Sequence, residues 1–123
     1  MLATSSLDFI VEPLAAYLHV DGVLATALEF RRGICTGRLM GTLMFGRGKR
    51  ERVLSFIAEQ GVSARECSFY SDSIYDLPLL EAIGMPVVVN PDFRLRRIAR
   101  RRSWPIRELA QARPVSASPN GRR

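Results

Sequence analysis

Lysine is almost missing from this chain. Of its eighteen Lys and Arg side chains, seventeen are arginine and one, Lys49, is lysine. Arginine is a planar fork, whereas lysine is a compact charge with rotatable donors, so a site that needs the compact form resists the exchange. Codon bias could equally leave one lysine by chance. Cysteine is scarce too. Cys35 and Cys67 form neither a metal-binding spacing nor a disulfide framework, and a reducing, cytoplasmic setting is the expectation. The single histidine, His19, has no ligand set around it and is expected at a helix end. No apolar run reaches the ~18 residues of a membrane span. The start, "MLATSS", has neither a basic n-region nor an apolar h-region, so no signal peptide is expected.

What remains is ordinary in amount and uneven in placement. The 123 residues are 47% apolar and 24% charged, which suits one small domain with a modest core. Residues 1–90 carry 8 basic and 10 acidic side chains, whereas residues 91–123 carry 10 basic and 2 acidic. The net charge of +6 therefore belongs to the last quarter.

"LATSS" reads as the end of a strand. In "SLDFIVEPLAAYLHV", Leu7, Ile10, Val11, Leu14, Ala15 and Leu18 repeat at helical spacing, Ser5 and Asp8 have the spacing of a capping box, and Pro13 is expected to kink or restart the helix. "GVLATALEF" reads as a strand, and the glycines of "RRGICTGRLMG" suggest hairpin turns. Val53, Leu54, Ile57 and Ala58 put an apolar stripe on a helix that stops at Gly61. "CSFYSDS" is a short strand entering a loop. "DLPLLEAIG" is a short helix with Asp76 as its expected cap. "PVVVN" is a buried strand, and "DFRLRRIARRRSW" a basic helix. From about residue 108 the sequence is small and polar, and disorder is expected there.

Strands alternate with helices, which predicts an α/β fold with a mainly parallel sheet. Ligands in such sheets bind beyond the carboxyl ends of the strands. That rule gathers Thr4–Ser6, Asp72–Asp76, and Asn90 with Asp92 on one edge. "SDSIYD" offers two carboxylates four residues apart, suited to Mg²⁺ that shares its coordination with water and a phosphate. The bland alternative is a turn at Asp72 and a helix cap at Asp76. "GRGKRE" sets Arg47, Lys49 and Arg50 at a helix start, where the macrodipole disfavours cations. A bound anion would resolve that conflict, and a solvated charge run is the commoner outcome for such a cluster. "ATSS" offers hydroxyls and backbone N–H groups at another helix start.

The order of these features resembles the haloacid dehalogenase-like hydrolases, in particular their phosphoserine-phosphatase-like branch. The resemblance is carried by "ATSSLDFIVEPLA", "TGRLMGTLMFGRGK" and "YSDSIYDLPLLEAIGMPVVVNPDFRLRRIARRRSWPI", and spans Thr4 to Ile106. It implies a Rossmann-like three-layer sandwich and a Mg²⁺-dependent phosphomonoesterase that acts through an aspartyl-phosphate intermediate. It further implies that Thr4 and Ser5 bind phosphate and that Lys49 neutralises the phosphate and the nucleophile. Asp72 would ligate Mg²⁺, and Asp76 would orient water or Lys49. Ser73, Asn90 and Asp92 would help to position the site. A small phosphorylated metabolite is the expected substrate; neither a nucleic-acid partner nor a membrane is expected, and a solvated face is the reading of the basic helix.

Two departures qualify this. The loop before the first Asp usually begins with glycine in the family, and here Ser71 stands there; a positive φ would strain it. The family's nucleophile is an aspartate in a D-x-D motif, and these residues contain no D-x-D. Residues 1–107 are therefore expected to be the C-terminal part of a core whose central first strand and helical cap are missing, followed by a basic tail over 108–123. By itself such a chain is expected to be inactive. The alternative is a truncated remnant, or a split-protein half that pairs with a separate N-terminal polypeptide.

Overall fold

The computed structural model describes residues 1–110. The expected tail over 108–123 falls largely outside those residues; 108–110 carry no regular element. Strand β1 spans Leu2–Leu7 and runs straight into helix α1, Asp8–Tyr17. Pro13 lies inside α1, and the helix continues through it. His19 follows at the helix end with φ 53°, as its position suggested. Strands β2 (Val23–Arg31) and β3 (Ile34–Met40) are joined by Arg32 and Gly33, both at positive φ. A two-residue turn with both central φ positive matches the twist of an antiparallel pair, which explains the glycine. Helix α2 covers Gly46–Glu59, and β4 covers Ser68–Ser71. A short helix α3 (Leu77–Leu80), strand β5 (Met85–Val89), helix α4 (Phe93–Arg101) and a two-residue strand β6 (Ile106–Arg107) complete the order.

The α/β class and the mainly parallel pairing are as expected: β1 pairs with β2, β4 with β5 and β5 with β6 in parallel, and only β2 with β3 is antiparallel. The strands form two three-stranded sheets, ordered β1-β2-β3 and β4-β5-β6, rather than one. Among the described residues nothing pairs with the outer edge of β1 or of β4. One apolar core nevertheless links the halves. Leu24 of β2, Met44, Val53 of α2, Leu79 of α3 and Ile83 pack together, with Ala3 and Phe69 against them. A second cluster of Leu80, Val88, Leu95 and Ala99 seats α4 on β5. Among the described residues no helix is long and apolar enough to cross a membrane.

Candidate active site

Lys49 lies in the first turn of α2, four residues before Val53, so both project from the face that meets the core. It is only 7% exposed. Its Nζ stands 2.7 Å from Asp76 Oδ1. Asp76 ends a short 3₁₀ turn, Ile74–Asp76, just after β4, and is also 7% exposed. Its second oxygen, Oδ2, accepts a 2.7 Å hydrogen bond from Ser71 Oγ. The hydroxyl of Ser71 accepts in turn from the Ser73 amide, and that of Ser73 from the Tyr75 amide. Serine side chains thus wind residues 71–76 into a tight loop by replacing backbone partners. A buried ion pair persists only when its remaining polar atoms are also bonded. That condition holds here, since among the described residues no buried side-chain polar atom lacks a partner.

This arrangement corrects three expectations. Asp76 occupies the N-cap position of α3 but makes no capping bond, because both its oxygens are taken by Lys49 and Ser71. Ser5 and Asp8 form no capping box. The strand runs on to Leu7, the cap of α1 is Leu7, and the Asp8 carboxylate accepts from the next amide instead. Thr4–Ser6 therefore sit within β1, not after it. Ser71 does not have a positive φ, so it carries no strain, and its hydroxyl supplies a bond that glycine could not.

The other predicted residues fall as follows. Thr4 is half-buried and its Oγ1 accepts from the Ser6 amide, while Ser5 is exposed. Thr26, which sequence reasoning missed, ties this end of β1 to the turn before α2. Its hydroxyl donates to the Ser5 carbonyl and accepts from the Met44 amide, and the residue is 2% exposed. A lone threonine inside the apolar run of β2 was the available signal. Asp72 is exposed directly after β4, and among the described residues no bond engages its carboxylate. Asn90 and Asp92 are committed elsewhere: Asn90 clasps both backbone groups of Leu109, and Asp92 caps α4 through the Leu95 amide. Arg47 and Arg50 are exposed, so the buried cation of the cluster is Lys49 alone. The rings of Phe45 and Tyr75 meet at 5.0 Å beside the Lys49 turn.

The set is suited to Mg²⁺ of one kind. Among the described residues no three His, Cys, Asp or Glu side chains converge as a metal cage. Mg²⁺ does not require one, since it takes one or two carboxylates and completes its shell with water and phosphate. The unengaged Asp72 fits that role, and Asp76 with both oxygens bonded fits a supporting one.

The family model of the haloacid dehalogenase-like hydrolases matches residues 1–81. A phosphoserine phosphatase of Mycobacterium tuberculosis is 42% identical over 103 residues, covering 84% of this chain and 33% of that protein. A histidinol-phosphatase of Neisseria meningitidis is 34% identical over 110 residues, covering 86% of this chain and 50% of that protein. A Bordetella pertussis protein of unknown function superposes with a TM-score of 0.79 at 39% identity, over 85% of this chain and 48% of that one. The chain thus spans a third to a half of the proteins it resembles.

Proposed function

The chain belongs to the haloacid dehalogenase-like hydrolases, and from that premise we propose that it contributes the lysine and metal-side residues of a Mg²⁺-dependent phosphomonoesterase. The buried Lys49–Asp76 pair, with Ser71 on its far oxygen, carries this reading. A point charge held at a helix start by a carboxylate can face a phosphoryl group without swinging away. The reaction is a displacement at phosphorus. An aspartate outside these 123 residues attacks, the ester bond breaks, and water then hydrolyses the aspartyl phosphate. Thr4 and Ser5 would donate to the phosphoryl oxygens, and Lys49 would balance their charge and that of the attacking carboxylate. Asp76 would hold Lys49 in place. Mg²⁺, bound in part by Asp72, would neutralise the transferring group. A small phosphorylated metabolite is the substrate class, which the named activities of the relatives support.

The test is phosphate release from p-nitrophenyl phosphate in Mg²⁺. The 123-residue chain alone is expected to release none above its Asp72→Asn variant. Joined behind the preceding segment of the Mycobacterium tuberculosis relative, it is expected to turn over with Mg²⁺ and to lose that turnover on Asp72→Asn. A silent fusion would sink the hydrolase reading, and turnover by the chain alone would sink the external nucleophile.

A further inference from the structure

The arginines of α4 and its end divide by partner. Arg96 bonds Glu108, whose carboxyl is held below the usual range by that bond and then by the charge of Arg100. Arg102 pairs with Glu81, and its guanidinium lies 5.3 Å over the Trp104 ring. Among the described residues no carboxylate pairs with Arg94, Arg97 or Arg101, and all three are exposed. Residues 111–123 contain no Asp or Glu to supply a partner.

Those three positions fall at i, i+3 and i+7, one face of the helix over ~10 Å of its length. They line an open groove of about 380 Å³ with Phe93, Ile98 and, from the loop after β4, Ile74. Phe93 is 78% exposed and takes no part in the core. Like charges three and four residues apart repel, and the helix dipole disfavours the arginines nearest the start. Asp92 offsets this only at the cap. An anion in the groove would relieve both.

The chemistry of the groove narrows that anion. Arginine forks match phosphate oxygens, and a row of three is longer than one phosphate, so a chain of phosphates suits it. An exposed ring beside the row suits a flat, stackable group, and an acidic peptide offers none. A bilayer is met by a helix that inserts its apolar face. The apolar face of α4, with Leu95 and Ala99, is fully buried against β5. From the sequence this helix reads as a solvated face; the sorting of its arginines by partner is a tertiary feature.

We propose that this groove binds single-stranded nucleic acid. Phosphates lie along Arg94, Arg97 and Arg101, and a base stacks on Phe93. Stacking and charge carry no sequence code, so binding is tolerant of sequence. Nothing in this rests on the hydrolase reading above.

The probe is a fluorescein-labelled oligothymidylate of about ten nucleotides, titrated with the full chain by anisotropy at several salt concentrations. Affinity is expected to fall with salt. Arg97→Gln with Arg101→Gln is expected to reduce the magnitude of the log–log slope by about 1.4, the share of two phosphate contacts to a single strand. Arg32→Gln with Arg38→Gln removes the same charge from exposed sites on the β2–β3 hairpin and is expected to leave the slope nearly unchanged. Phe93→Ala, at an exposed side chain, is expected to weaken binding about fivefold or more. Absence of binding at low salt would overturn the proposal. Equal losses in the two double variants would mean diffuse charge attraction and would overturn it too. So would indifference to Phe93→Ala, or poly-glutamate or phosphatidylglycerol vesicles binding more tightly than the oligonucleotide.

Discussion

Removing one partner of the Lys49–Asp76 pair leaves the other's charge buried and unmatched. Asp76→Asn is therefore expected to cost about 3–5 kcal/mol of stability in urea unfolding. A loss below about 1 kcal/mol would mean that the pair is as loosely held as a surface one. The double replacement Lys49→Met with Asp76→Leu should cost less than either single change, because no charge is stranded. Ser71→Ala removes the donor to Asp76 Oδ2 and is expected to cost about 1–3 kcal/mol. Composition singled out Lys49 against seventeen arginines without excluding chance, and the family resemblance gave it a role. Ser71 and Thr26 were not. Their roles depend on partners five and more than fifteen residues away, and a hydroxyl in a loop or strand has no periodicity that would reveal such a partner.

Among the elements, α2 sets the position of Lys49, and Gly48 sets the position of α2. A Cβ on Gly48 would lie 2.3 Å from the Leu43 carbonyl oxygen. Gly48→Ala must push the first turn off the loop that precedes it. It is expected to cost about 1–3 kcal/mol and to weaken phosphate binding beyond what the stability loss explains. At the other end of the chain, Arg96 of α4 bonds Glu108 and holds its carboxyl below the usual range. A depressed acid contributes above its unfolded value, and that contribution is lost as pH falls through the folded one. Both groups meet solvent, so the effect is read locally. The Glu108 titration midpoint should lie below that of an ordinary glutamate and return to it in Arg96→Ala. The extent of α2 was read well from its apolar stripe and its stop near Gly61, whereas the basic helix was read a few residues too long. The capping box at Ser5 and Asp8 failed because β1 continues through those residues, and a tertiary strand pairing outweighs a local cap.

For the whole molecule, the alternation of strand and helix predicted the class and the parallel pairing. The rule that strand carboxyl ends gather ligands put the Asp72–Asp76 loop on the site edge, whereas the meeting of Lys49 with that loop was implied by the family resemblance. What the sequence could not display was the division into two sheets, because pairing partners are set by long-range packing and not by pattern. An apolar cleft lies between β1 and β4. The uneven charge leaves residues 1–90 slightly acidic around the proposed phosphate site, so on that reading Lys49 and a cation at Asp72 would have to offset that local field. That requirement can be measured without any added segment. Calorimetry of inorganic phosphate binding to the chain, with and without Mg²⁺, compares the wild type with Asp72→Asn, a change at an exposed side chain that leaves the fold intact. Phosphate affinity is predicted to rise in Mg²⁺, and the rise to disappear in the variant. Binding indifferent to Mg²⁺, or unchanged by Asp72→Asn, would contradict the assignment of this edge as a phosphate and metal site.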